Sequence, residues 1–144
     1  MKFALSVLLC SAAFAAPTPR QMCLDALLEE YDSPVRETYT RDISAMNAAQ
    51  IEALSPQLKQ QLIHFAGTQT ECAGPLTVAL AVECVRTANE SRDEEFAYVY
   101  LTAPNGARFN RITFYPGAQD GVIYADKTTT VVAIISDGGV MCVE

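Results

Sequence analysis

The stretch Phe96-Ala97-Tyr98-Val99-Tyr100-Leu101-Thr102-Ala103-Pro104-Asn105-Gly106-Ala107-Arg108-Phe109-Asn110-Arg111-Ile112-Thr113-Phe114-Tyr115 decides how the second half of the chain folds. Two runs rich in aromatic and β-branched residues flank Asn105-Gly106, and such side chains fit a pleated, half-buried strand. Asn-Gly tolerates the positive φ that a type I′ turn needs at both central positions, so the reading is a hairpin with a two-residue loop. Its register sets Tyr100 opposite Arg111, Tyr98 opposite Thr113 and Phe96 opposite Tyr115. On the other face Val99 meets Ile112 and Ala97 meets Phe114. Phe96, Tyr98, Tyr100, Phe109, Arg111 and Tyr115 then project from one side of the sheet.

Further turns follow at Pro116-Gly117 with Asp120-Gly121, at Asp126-Lys127 and at Asp137-Gly138-Gly139. They separate strands near 122–125, 129–136 and 140–143 in an antiparallel meander. The run Thr130 to Ile135 is almost continuously apolar, which suits a strand covered on both faces. Before the hairpin, Leu76, Val78, Leu80, Val82 and Cys84 alternate with Thr77, Ala79, Ala81 and Glu83, and the period of two predicts a strand over 76–86. An alanine-rich helix is the competing reading of the same residues.

The first half reads as helical. Thr18-Pro19-Arg20-Gln21 is a helix start with a Thr cap, proline at the first position and Gln21 able to close the capping box, and the helix is expected to run to about Tyr31. Its spacing of Met22, Cys23, Ala26, Leu27 and Glu30 brings Cys23 onto or beside the apolar stripe. After Asp32-Ser33-Pro34 comes a polar connector. Asn47-x-x-Gln50 opens a second, short helix through Ile51 and Leu54. Ser55-Pro56 opens a third, in which Leu58, Leu62 and Phe65 form an amphipathic face before Gly67 ends it. The expected fold class is α+β: N-terminal helices packed on one face of a five- to six-stranded antiparallel β-meander, with two disulfides.

The N-terminus carries its own signal. Lys2 precedes the apolar run Ala4 to Leu9, and Ala13-Phe14-Ala15 is a small-x-small cleavage pattern, so residues 1–15 read as a secretory signal peptide. Cutting after Ala15 avoids a proline at the scissile bond. Residues 16–144 then form a single domain, helical over 18–67 and strand-rich over 76–144. The apolar run is far shorter than the ~20 residues a bilayer span requires. Cys10 leaves with the leader, and the large Leu9 before it argues against lipidation. The expected location is secreted or periplasmic.

Cys23, Cys72, Cys84 and Cys142 remain, an even number that reads as two bridges after export. If 76–86 is extended, Cys72 and Cys84 stand about 30 Å apart at ~3.3 Å per residue, beyond the reach of a disulfide. That leaves Cys23–Cys72 with Cys84–Cys142, the favoured set, or Cys23–Cys84 with Cys72–Cys142.

Charge excludes some function classes. Seventeen acidic residues face ten basic ones, for a net charge of −7. No lysine or arginine run offers a patch for nucleic acid or anionic lipid, so neither is an expected partner, whereas a cationic partner suits the balance. Cysteine spacing matches no zinc pattern, and one histidine adds little, so no metal and no cofactor are expected. Asp120, Asp126 and Asp137 lie in turns, where such side chains bond local backbone.

His64, the only imidazole, would have to serve any Ser-His-Asp or Cys-His site, but no GxSxG elbow accompanies it. The pairs Glu29-Glu30 and Glu94-Glu95 are adjacent and therefore point apart, unlike the carboxylates of a glycosidase. Asn89-Glu90-Ser91 is a glycosylation sequon in a polar stretch. The candidate binding face is Tyr98, Tyr100, Arg111 and Tyr115, residue types that binding hot spots favour, with core under a helical layer as the alternative. The expectation is a small exported, disulfide-stabilised, non-enzymatic module that binds a protein partner. A small secreted hydrolase using His64 or carboxylates, or an envelope structural protein, are the competing classes.

Overall fold

The computed structural model describes residues 17–28, 36–89, 95–103, 105–115, 121–136 and 139–144. The leader, both members of the Glu29-Glu30 pair, Glu94, Asp120 and Asp137 lie outside them, as does the side chain of Tyr115.

The helix starts form as the sequence implies. In α1 (Pro19–Cys23, continued by a π-helical turn over Leu24–Leu28), Gln21 N donates to Thr18 Oγ1 at 3.2 Å and Thr18 N donates to Gln21 Oε1 at 2.9 Å. In α2 (Ala48–Glu52), Asn47 and Gln50 make the same reciprocal pair, both bonds at 2.8 Å. Ser55 caps α3 (Pro56–Gly67), which buries Leu58, Leu62 and Phe65.

Two segments differ from expectation. Residues Val78–Asn89 form a helix, α4, where the alternation suggested a strand. Periods of two and of 3.6 both place Val78 and Val82 inside; the positions that separate them are Leu80, 58 % exposed, and Ala81 and Val85, both buried. The buried set Val78, Ala81, Val82, Val85 and Asn89 is a helical stripe. Alanine at 79 and 81 favours that state, and Thr77 Oγ1 accepts from Leu80 N at its start. Conversely, part of the polar connector is a strand, β1 (Arg36–Asp42), whose Thr38, Tyr39 and Thr40 suit an extended chain although no apolar alternation announces it. Asn89, the sequon residue, is the buried last residue of α4 and does not sit in a loop.

The remaining strands are β2 (Glu95–Thr102), β3 (Arg108–Tyr115), β4 (Gly121–Ala125), β5 (Val131–Ser136) and β6 (Gly139–Cys142). All pairings are antiparallel, and the sheet runs in the order β1-β2-β3-β4-β5-β6. The architecture is α+β with a six-stranded antiparallel sheet and two disulfides.

The helices occupy both faces of the sheet. On one, α2, α3 and α4 cover Phe96, Tyr98, Ile112, Phe114, Val122 and Tyr124. Phe65 stacks on Phe96 with ring centroids 5.5 Å apart and meets Phe114 edge-on at 5.6 Å. On the other, Cys23, Ala26 and Leu27 of α1 pack with Val132, Ala133 and Ile135 of β5. Arg86 of α4 reaches back to the β1–α2 connection, its Nη2 donating to Ile43 O at 2.7 Å and also to Met46 O.

The hairpin register is shifted by one residue. Tyr100 stands opposite Asn110, Val99 opposite Arg111, Tyr98 opposite Ile112 and Phe96 opposite Phe114. The cause is the loop: Gly106 N donates to Ala103 O at 2.8 Å, Ala103 N donates to Ala107 O at 2.9 Å, and of Asn105 and Gly106 only the glycine takes positive φ. Three residues, 104–106, therefore separate the paired positions, as in a hairpin ending in a left-handed glycine, rather than two.

The cysteines pair as Cys23–Cys142 and Cys72–Cys84, with Cα atoms 5.7 Å and 5.9 Å apart. Both favoured bridges are thereby corrected, and for one reason. A helix rises only ~1.5 Å per residue, so Cys84 lies within about 10 Å of the start of α4. Gly74, at φ +123°, turns the preceding chain so that Cys72 meets it.

Candidate functional site

A one-residue shift in register exchanges faces for every side chain of one strand. Tyr98 and Tyr100 stay on the α3 side, where their rings meet edge-on at 5.3 Å, while Arg111 and Phe109 move to the opposite side. Tyr115 stands opposite Glu95 in the register and not opposite Phe96. The four residues of the expected binding face are thus not brought together, and Tyr98, at 3 % exposure, is core.

Between α3 and the sheet lies a chain of polar side chains that no spacing announces. Gln61, fully buried, accepts from Asn110 Nδ2 at 2.8 Å and donates from Nε2 to Thr128 O at 2.6 Å and Ala125 O at 3.3 Å. It fastens the β4–β5 turn to the helix. One helical turn on, His64 Nδ1 shares a 2.8 Å hydrogen bond with the hydroxyl of Tyr124. Tyr124 is inaccessible to solvent, and burial pushes its phenol well above the ordinary 10.0, so the hydroxyl keeps its proton and has the imidazole as its hydrogen-bond partner. The single histidine therefore satisfies a buried phenol. Glu95, the described member of the second carboxylate pair, is exposed at the start of β2, and Asp126 lies in the β4–β5 turn. Among the described residues no group of three or more His, Cys, Asp or Glu side chains is placed to hold a metal ion.

The exposed apolar surface lies at the other end of the sheet. The row that crosses the α3 side runs Tyr98, Ile112, Val122, Ile134, Met141 through consecutive registered pairs. Its first three members are buried; the helical layer then ends, leaving Ile134 44 % and Met141 66 % exposed directly opposite one another on β5 and β6. Beside them a groove of about 310 Å3 opens between the C-terminal end of α3 and the sheet, lined by Phe65, Thr68, Gln69, Phe114, Val122 and Ile134. Its floor is the exposed margin of the core. The run Thr130 to Ile135, expected to be covered on both faces, is not: Val132, Ala133 and Ile135 are buried, but Ile134 points to the α3 side beyond the last helix among the described residues that covers it.

No family model, no curated protein and no solved structure matches the chain. No helix among the described residues is long and apolar enough to cross a membrane.

Proposed function

We propose that this chain is an exported, non-enzymatic module that binds a protein partner through the Ile134–Met141 shelf and the adjoining groove. The observation that carries this reading is the pair of large apolar side chains left facing water beside a groove that Phe65, Phe114 and Val122 line together with Thr68 and Gln69. Contiguous exposed apolar surface of this kind is a common mark of a recognition site. Export rests on the leader-like residues 1–15, and the pairing of all four later cysteines is compatible with a secreted or periplasmic location. The excess of acidic residues disfavours nucleic acid as a partner and favours a cationic protein surface.

A photo-crosslinking amino acid placed at Met141, with the exposed Lys127 position as control, tests this in the secreting cell. A discrete protein adduct at 141 that is absent at 127 and lost on Ile134→Lys is the expected result. Equal adducts at both positions, or substrate turnover that disappears in His64→Ala, overturns it.

A further inference from the structure

We propose that β6 is an acceptor edge for an extended, basic and apolar peptide segment of the partner, which would add to the sheet as a seventh strand; the inference rests on the shelf being the binding surface.

The two edges of the sheet differ in chemistry. β1 reads Arg36-Glu37-Thr38-Tyr39-Thr40-Arg41-Asp42, with four charged residues, whereas β6 reads Gly139-Val140-Met141-Cys142 and has none. Charge on an edge strand discourages pairing with another chain, and β6 lacks that protection.

Its backbone is also correctly presented. Val143 N donates to Val132 O, which makes 132 and 143 a hydrogen-bonded pair in the ladder that continues through Ala133↔Cys142 and Ile134↔Met141. Alternation along an antiparallel strand then turns the N–H and C=O of Met141 towards β5, and those of Val140 and Cys142 towards the open edge. The Cys23–Cys142 bridge ties this strand to α1 on the far face, so the edge is held in place before any ligand arrives. A strand laid beside β6 would continue the apolar row past Met141 with every second side chain.

Charge chooses the occupant. From Thr128 to Glu144 the chain contains no lysine or arginine. Glu144, just beyond β6, has an 87 % exposed side chain whose partner is the solvent-exposed Arg20 at 3.6 Å. A second copy pairing through β6 would bring together two chains of net charge −7, while a segment alternating apolar and basic residues meets both the shelf and the acid.

The test titrates the intact oxidised mature protein with capped, labelled (Lys-Val)4 and (Glu-Val)4 peptides, read by anisotropy and by amide NMR shifts. The expected result is binding of the lysine peptide at least about tenfold tighter than the glutamate peptide. Shifts should concentrate at 139–142 and not at 36–42, and binding should fall when alternate amides of the peptide are N-methylated. Met141→Lys should weaken binding by a similar factor with an unchanged melting temperature. Contact with Ile134 and Met141 that is indifferent to N-methylation would overturn the strand mode while leaving the shelf as a binding surface. No peptide binding, together with no adduct at 141, would overturn both. Shifts at β1, equal affinity for the two peptides, or a dimer in sedimentation equilibrium closed through 139–142 would each refute the proposed occupant.

Discussion

Replacing Gln61 by methionine, a side chain of similar length without hydrogen-bonding groups, probes the polar chain that joins α3 to the sheet. Three contacts disappear, with unequal consequences. Ala125 O keeps the backbone N–H of Thr128 at 3.3 Å, and Thr128 is exposed, so water replaces the lost donor there. Asn110 has no such recourse: its side chain is 3 % exposed, its Oδ1 already lacks a partner, and the substitution leaves Nδ2 without an acceptor. An orphaned buried amide costs about 1–3 kcal/mol, and the lost bond to Thr128 about 1 kcal/mol more. The expected loss is about 3 kcal/mol, a fall in melting temperature of roughly 10 °C for a domain of this size.

Chemical denaturation of Gln61→Met, Asn110→Leu and the double variant measures it. The double variant should be more stable than the sum of the single losses implies, by about 1 kcal/mol or more, because removing both partners leaves no orphan between them. Hydrogen exchange should also accelerate in the turn at 126–129, which Gln61 holds against the helix. A loss below about 1 kcal/mol in Gln61→Met, or strict additivity in the cycle, would refute the account of Gln61 as the link between helix and hairpin.

Four other experiments have defined outcomes. Gly121→Ala should cost about 1–3 kcal/mol in a urea melt, since its Cβ would lie 2.9 Å from the backbone oxygen of Ile112 and 3.0 Å from Thr113 Oγ1, and a strand pair cannot part without losing its ladder. Unreduced tryptic digestion should release residues 60–86 as one internally bridged peptide and join 21–36 to 128–144, whereas either alternative pairing would link all three fragments. Removing the bridges as Cys-to-Ser pairs should cost about 5 kcal/mol for Cys23–Cys142 and about 3 kcal/mol for Cys72–Cys84, in keeping with the loops they close. Because burial raises the Tyr124 phenol in the folded state, its contribution to stability is complete below the unfolded value of 10.0 and is lost as pH rises above it. Between about pH 10 and 11, Tyr124→Phe should therefore lose stability less steeply than the parent chain, by up to about 1.4 kcal/mol per pH unit. Equal slopes would show that the phenol is not desolvated.

What the sequence discloses and what it withholds follow from the range of the forces involved. Thr18 with Gln21, Asn47 with Gln50, and Ser55 before Pro56 act within one helical turn, and all three starts form as their spacing predicts. The meander from Phe96 onwards is legible for the same reason, since turn residues and alternation are local. Loop length is not. Pro104-Asn105-Gly106-Ala107 accommodates a two- or a three-residue connection, and the choice moves Arg111 from the side of Tyr98 and Tyr100 to the side of Val99. The candidate site was thus decided by one residue of register, the least local consequence of the most local motif. Residues 76–86 show the complementary difficulty. Leu80 is apolar yet exposed, so a pattern that counts it as buried finds a period of two, and only the covering element identifies it as the outlier of a helical stripe. The bridges inherit that ambiguity, because whether Cys72 can reach Cys84 depends on the rise per residue between them. The Ile134–Met141 shelf is more distant still from any motif: an apolar residue in a strand carries the same letter whether a helix covers it or stops one strand short. Here the helical layer ends over β4, and the edge it leaves bare is the one of the sheet's two edge strands that carries no charge to discourage a partner.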